Sequence, residues 1–258
     1  MITQFINVLS TLFIINTTSI NSYSLPNSTT NNFSNHIFSH HNTSNSPNTS
    51  NSPNTSCPSI SPMTHFNTTE YIRSSWYVQQ QQVNGYQANN TLYCVMQTLD
   101  ATNRTVPFYS GNVLAVYNYA NIDRVNGEQQ NSINFTLCAR QFNQSMSSQL
   151  LNGPCFLPNY FAGPYWVLAA GPTYDNYSWA IISGGPPTVR YPDGNCSTSE
   201  EGVNDSGLWL FTRERFGSHV DSYVFHMRNL LLELGYTVSR LLNVSQVGCN
   251  YTDTYIKY

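Results

Sequence analysis

The sequence predicts an all-β fold in which eight antiparallel strands run up and down in chain order, close into a barrel and carry one α-helix outside it. Three observations predict this fold. After Pro62, apolar and polar residues alternate with period two in runs that turn residues separate. Eight such runs follow one another with short connections, and closing them into a barrel removes exposed strand edges. A last run then changes to a helical period.

Charge and hydropathy narrow the classes of function. The chain has 258 residues, room for one or two domains, and its net charge is -3 with only 9% charged residues. Nucleic-acid binding calls for a basic patch and attraction to anionic lipid calls for a polybasic segment, and the sequence contains neither. After the N-terminus no apolar run is long enough to cross a bilayer. We therefore expect no nucleic-acid partner and no transmembrane segment.

The first 61 residues differ from the rest. A short apolar run at residues 5–16, followed by small residues, predicts a secretory signal peptide over residues 1–24. Residues 25–61 are rich in Asn, Ser and Thr, repeat the hexad NTSNSP and lack apolar periodicity, which predicts a disordered, glycosylated leader. Its histidines, His36, His40 and His41, are interpreted as solvated loop residues, because a disordered tract lacks the fixed geometry of a metal site. The folded domain is predicted over residues 62–258.

Cysteines and sequons agree with an exported protein. The six cysteines are even in number and too widely spaced for a zinc cage, so they fit three disulfides out of fifteen pairings. Asn-x-Ser/Thr sequons recur from Asn27 to Asn250, which predicts a secreted glycoprotein.

The predicted elements follow one another in a simple order. A short helical turn near residue 68 precedes eight strands, and Asn126-Gly127 is interpreted as a hairpin pair between the third and fourth. The strands are predicted over residues 75–82, 90–99, 111–119, 128–140, 149–156, 164–170, 177–183 and 208–213.

The helical run follows the last strand. Its apolar residues recur at i, i+4, i+7, i+11 and i+14, namely at Val220, Val224, Met227, Leu231 and Leu234. Ser218 and Asp221 resemble a capping box, and Gly235 is expected to end the helix. Because a lone amphipathic helix gains most of its stability from packing, we expect this helix to dock on its own barrel.

A tryptophan and an arginine stand at opposite ends of the barrel sequence. Trp76 opens the first strand in SSWY, and Arg213 ends the last strand in GLWLFTRERF. A guanidinium stacked over an indole gains when water is excluded. The pair is therefore expected to act as a structural latch that joins the first strand to the last.

These stretches resemble the three motifs of the lipocalin family, in particular its bacterial and plant outer-membrane or temperature-induced branch and apolipoprotein D. SSW resembles the Gly-x-Trp motif, PYWVLAAGPTYDNYSWAII resembles the second motif with Tyr174 at its tyrosine, and LWLFTR resembles the third. The similarity runs from about His65 to Cys249. Ser74 in place of the motif glycine and Thr173 in place of the aspartate are departures, as is the extra Gly171-Pro172.

The resemblance implies a disulfide scheme. Family members often tie the second strand to the chain end, which implies Cys94–Cys249, and apolipoprotein D-like members imply Cys57–Cys196. The remaining pair is Cys138–Cys155.

The resemblance also implies a ligand pocket inside the barrel. If Cys94 points outward to reach the chain end, strand alternation turns its odd-numbered neighbours inward. Family positions add three candidates, and two more share the parity of Asn118. The pocket candidates are Tyr93, Val95, Gln97, Leu99, Leu114, Val116, Asn118, Tyr165 and Trp209.

The predicted function is that of a secreted carrier of a small hydrophobic ligand such as a fatty acid, lysophospholipid, sterol or retinoid-like molecule, with no cofactor and no metal. A peripheral contact with a membrane or a receptor is compatible with this role. One alternative is a lipocalin-fold isomerase or de-epoxidase, in which Cys94 would need to be an activated thiolate. Another is a glycosylated surface protein that uses the barrel as a scaffold.

Overall fold

The structure, a computed structural model, describes residues 56–131, 137–143 and 145–258. The predicted signal peptide and the predicted leader up to residue 55, with its three histidines, lie outside the described residues. The folded part is one compact unit.

Antiparallel strands close into a barrel around one interior. The strands are β1 (Trp76–Gln81), β2 (Tyr93–Ala101), β3 (Val113–Ile122), β4 (Glu128–Asn131), β5 (Leu137–Asn143), β6 (Met146–Pro154), β7 (Gly163–Thr173), β8 (Asn176–Ser183), β9 (Val189–Arg190), β10 (Cys196–Ser197), β11 (Leu208–Thr212) and β12 (Leu242–Asn243). The sheet runs in the order β11-β8-β7-β6-β5-β3-β2-β1, and β1 pairs again with β11. The predicted eight-stranded up-and-down barrel is therefore confirmed.

The predicted fourth strand is described as two segments. Both β4 and β5 pair antiparallel with β3, β4 near its end and β5 near its start. Ile122 pairs with Glu128, so the turn spans residues 123–127, and Asp123 and Asn126 adopt positive φ of 64° and 56°. The turn between β3 and β4 therefore contains Asn126 and Gly127, as predicted, and its first and fourth residues take the left-handed conformation.

Short elements flank the barrel. Helix α1 (Thr68–Tyr71) precedes β1, and the Asn67 side chain caps it by accepting a hydrogen bond from the Glu70 amide at 3.1 Å. Strands β9 and β10 form a small hairpin inside the long β8–β11 connection, and β12 pairs with β1.

Helix α2 (Ser218–Glu233) packs outside the barrel as predicted. Its buried residues Met227 and Leu231 lie on an outer cluster formed by Leu168, Trp179, Ile181, Leu208 and Leu210. The expected capping box is wrong. The N-cap is Gly217 with no side-chain cap, and its φ of 125° is open to glycine but strained for other residues. Ser218 is thus already the first helical residue.

Three disulfides tie distant segments to the barrel, and they join the same pairs that the family resemblance implies. Cys57–Cys196 closes a separation of 139 residues, Cys94–Cys249 one of 155 and Cys138–Cys155 one of 17. None of the six cysteines is free. Around Cys94–Cys249, Tyr251 of the C-terminal segment packs on Tyr77 and Tyr119.

The two disulfides of unequal span predict unequal losses of stability. Replacing Cys94 and Cys249 by alanine should cost about 2 kcal/mol more unfolding free energy than replacing Cys138 and Cys155, because loop-closure entropy grows with the logarithm of the separation. All four side chains are buried, so cavity effects are matched. Urea unfolding of both double variants measures the difference, and equal losses would contradict the entropic account.

Candidate functional site

The two ends of the barrel are built differently. Because successive barrel strands run antiparallel, the β1–β2, β3–β4, β6–β7 and β8–β11 connections meet at one end, which we call the upper end. Helix α1 and Arg213 lie at the opposite, lower end, beside the start of β1 and the end of β11.

Arg213 closes the lower end. Its Cζ lies 3.4 Å from the ring centroid of Trp76. Its guanidinium donates to a ring of backbone carbonyl oxygens, those of Glu70 and Tyr71 at 2.9 Å, Ser75 at 3.2 Å, Tyr177 at 3.3 Å, and Ser74. The Trp76 indole N–H donates to the Tyr71 carbonyl at 2.9 Å. One side chain therefore joins α1, the start of β1, β8 and β11.

Burial lowers the pKa of Arg213 without removing its charge at neutral pH. Desolvation lowers the pKa of Arg213 to about 9, while Tyr71 and Glu70 act in the opposite direction. A pKa of about 9 keeps the guanidinium charged at neutral pH. Since backbone carbonyls occupy its donors and Trp76 covers its face, Arg213 serves structure and is not placed to bind a ligand anion.

Glu70 is a second charged group at the lower end. Its carboxylate accepts hydrogen bonds from Arg73 Nε at 2.9 and 3.0 Å and from the Tyr177 amide at 3.0 Å. Burial raises the pKa of Glu70, but these hydrogen bonds and the nearby arginines outweigh burial and hold it below its usual value. The ionised form is thus the one that the fold stabilises.

A chain of neutral hydrogen bonds crosses the interior. The hydroxyl groups of Tyr71 and Tyr165 lie 2.7 Å apart, and Tyr165 donates to Gln97 Oε1 at 2.6 Å. Gln97 Nε2 donates to Asn118 Oδ1 at 2.8 Å. Because an amide oxygen only accepts, Tyr165 is the donor to Gln97 and Tyr71 is the donor to Tyr165. Burial raises the pKa of Tyr165 well above its usual value, so the chain stays neutral.

Apolar side chains surround this chain. They form an interior cluster with Trp76 at the lower end, whose members include Val78, Val95, Leu99, Leu114, Val116, Ala139, Leu150, Tyr165, Val167, Tyr177, Ile182, Trp209 and Phe211. The inner face of the barrel thus brings together the predicted residues Val95, Leu99, Leu114, Val116, Tyr165 and Trp209, while Gln97 and Asn118 join it through the hydrogen-bond chain.

Tyr93 is the exception among the predicted interior residues. It is half-buried and belongs to no part of the interior cluster. Cys94 has a φ of 54°, and the β2–β3 register shifts between Tyr93 and Met96. Strict alternation along β2 therefore begins after Cys94, and the expectation that Tyr93 points inward is wrong for this reason.

No charged side chain points into the barrel from its described strands. Those strands carry three charged residues, Asp100, Glu128 and Arg140. Asp100 binds Lys257 of the C-terminal segment at 3.0 Å, Glu128 is exposed, and Arg140 donates to the carbonyls of Pro154 and Leu157 next to inward-facing Ala139. The described strands therefore bring no charge to the interior above the latch.

The β8–β11 connection crosses the upper end, and side-chain amides lie below it. The amide of Gly85 donates to the carbonyl of Gly202 at 3.0 Å, which places the β8–β11 connection against the β1–β2 loop. Below it, Trp209 Nε1 and Gln81 Nε2 both donate to Gln87 Oε1 at 3.2 Å. Gln81, Gln87 and Tyr71 were not predicted from the sequence, because a polar residue at a strand end, a loop residue and a residue of a four-residue helix carry no periodic signal.

The structure also bears on the isomerase alternative and on the expectation of no transmembrane segment. Cys94 is joined to Cys249, so the isomerase alternative lacks the thiolate that it requires. No helix among the described residues is long and apolar enough to cross a membrane.

No protein-family model and no curated protein matches this chain. Solved structures of lipocalin-fold proteins do match. Insecticyanin from the tobacco hornworm Manduca sexta is 15% identical with a TM-score of 0.46, over 77% of this chain and 92% of its own. Lobster apocrustacyanin A1 is 16% identical with a TM-score of 0.45, over 70% and 79%. The amine-binding protein of Rhodnius prolixus, in its tryptamine complex, is 13% identical with a TM-score of 0.45, over 77% and 91%.

The barrel is established by the strand order and register of this chain.

The latch predicts a loss of stability when Arg213 is removed. Arg213→Ala should cost about 3 kcal/mol of unfolding free energy, because buried carbonyls lose their donors. Arg215→Ala is the matched control and should cost less, since the Arg215 guanidinium donates to one backbone carbonyl, that of Cys249, and lies 5.6 and 5.9 Å from the ring centroids of Phe216 and Tyr251. Urea unfolding gives both values. If Arg213→Ala changed ligand preference more than stability, its role as a latch would be wrong.

Glu70 predicts a pH dependence of stability. Its folded pKa is lowered, so its contribution is present above the unfolded pKa of about 4.3 and is lost as pH falls through the folded pKa. Glu70→Gln keeps an acceptor for the Tyr177 amide and removes the charge. It should melt at a lower temperature than the parent at pH 7, and the gap should shrink below about pH 4. Melting curves from pH 7 to pH 3 measure this, and exposed Asp175→Asn serves as control; a gap independent of pH would refute the assignment.

Proposed function

We propose that this chain is a secreted lipocalin that binds and carries a small hydrophobic ligand inside its barrel. The observation that carries the proposal is the state of Asn118. This residue faces inward in the middle of β3 and is hydrogen-bonded to Gln97, yet it is only half-buried. Surface that remains open at an inward position means that side chains leave volume unfilled there.

The lining supports a hydrophobic ligand. Most inward side chains are aliphatic or aromatic, with Gln97, Asn118 and Tyr165 as the few polar groups, which is the composition that small-molecule sites favour.

Membership of the lipocalin family is supported by the latch and by the order of elements. Trp76 and Arg213 meet at the lower end, eight strands close in chain order, and α2 packs outside after the last strand. The link to the apolipoprotein D branch stays a prediction that rests on the motifs alone.

Export and ligand class belong to the same proposal. Three disulfides are typical of an oxidising compartment and support an extracellular protein. Within the hydrophobic class, fatty acids, lysophospholipids, sterols and retinoid-like molecules are the proposed ligands.

Trp209 supplies the test of ligand binding. A saturable change of tryptophan fluorescence is expected with a member of a panel of fatty alcohols, fatty acids, lysophospholipids, sterols and retinoids, because Trp209 lies on the inner face. The Trp209→Phe variant should show no fluorescence change with ligands that do not themselves absorb light. The Trp179→Phe variant, which is altered on the outer face under α2, should keep the fluorescence change. Native mass spectrometry checks the stoichiometry. Absence of a saturable ligand would favour the scaffold alternative.

A further inference from the structure

A buried acceptor without a donor lies at the upper end of the barrel. Gln81 is the last residue of β1 and is fully buried. It pairs with Trp209 across the β1–β11 seam, and residues directly opposite in an antiparallel pair share a face, so Gln81 points inward with Trp209. Its Oε1 has no hydrogen-bond partner among the residues that the structure describes.

The orientation of the Gln81 amide follows from its neighbours. An indole N–H only donates, so Trp209 Nε1 requires the atom it meets on Gln87 to be the oxygen. Gln81 meets the same oxygen and must present its nitrogen to it. Exchanging the two ends of the Gln81 amide would place two oxygens together. The oxygen of Gln81 is therefore the group left without a donor.

An unpaired buried acceptor identifies the chemistry that it would take. Leaving it unpaired costs free energy that a ligand with a hydrogen-bond donor recovers on binding. A hydroxyl group supplies a donor without bringing charge. A carboxylate and an ether supply no donor, and an ammonium supplies one together with a charge.

Charge distinguishes between a hydroxyl and an ammonium as the donor. The described barrel strands send no charged side chain inward, so an ammonium or carboxylate in the interior would be desolvated without a counterion. Arg213, which lies under Trp76, already donates to five backbone carbonyls. An uncharged head group is thus the one that the interior tolerates.

We propose that the ligand is an uncharged alcohol whose hydroxyl donates to Gln81 Oε1 while its hydrocarbon fills the interior cluster. This inference rests on the proposed function and narrows it. Sterols and retinol-like alcohols fit the description, whereas fatty acids and lysophospholipids do not.

Four compounds that share one hydrocarbon chain and differ in the head group test the proposal. Hexadecanol, hexadecyl methyl ether, palmitate and hexadecylamine are titrated into the oxidised protein, with Trp209 fluorescence and native mass spectrometry as readouts. Hexadecanol should bind about tenfold tighter than the ether, because the ether has the same oxygen without the donor. It should also bind tighter than either charged compound.

Two neighbouring variants locate the effect. Gln81→Met removes the acceptor with a side chain of similar length and should abolish the difference in affinity between hexadecanol and the ether. Gln80→Met makes the same change one residue earlier, on the outer face where Gln80 accepts from Arg228, and should leave that difference unchanged. Melting curves of both variants confirm that they are folded.

The outcomes distinguish failure of the proposed function from failure of this inference. If neither these four compounds nor the sterols and retinoids of the panel bind, the proposed function fails together with this inference. If palmitate or hexadecylamine binds tightest, or if alcohol and ether bind equally, ligand binding stands and the alcohol is overturned.

Discussion

The stack of Arg213 on Trp76 is the contact on which the rest of the structure depends. A barrel exists only if its first strand meets its last, and β1 and β11 share a short register that a bulge at residue 79 interrupts. Arg213 reinforces this seam with a cation over the indole and with carbonyl contacts to α1, β1 and β8. Because a planar guanidinium donates in several fixed directions, one residue holds segments more than a hundred residues apart in sequence.

Closure has a consequence for the interior. At the lower end Arg213 is committed to backbone carbonyls and Arg73 is paired with Glu70, and the polar groups above them are tyrosines and amides. Tyr71, Tyr165 and Gln97 satisfy one another across the barrel, which makes them a neutral floor. The amides of Gln81 and Gln87 lie toward the upper end, where the buried oxygen of Gln81 has no donor among the described residues. The proposed preference for an uncharged ligand therefore follows from how the barrel is closed.

Much of the architecture could be predicted because it depends on periodicity. Alternating runs placed the eight strands, and the apolar stripe from Val220 to Leu234 placed α2. Local conformation was harder to predict. Positive φ at Cys94 reversed the expected direction of Tyr93, and Gly217 took the cap position expected for Ser218. Such conformations depend on tertiary context, because left-handed backbone at a non-glycine residue is tolerated only where surrounding contacts hold it.

By itself the sequence determined the strand order, the outer helix, the family resemblance and, through that resemblance, the cysteine pairs and the identity of the latch residues. Only the tertiary structure decided what these residues do together. It placed Tyr71 of a four-residue helix against Tyr165, and it set Gln81 of β1 beside Gln87 of a loop and Trp209 of β11. Hydrogen bonds between side chains far apart in sequence leave no periodic signal, because each depends on where closure of the barrel brings its partner.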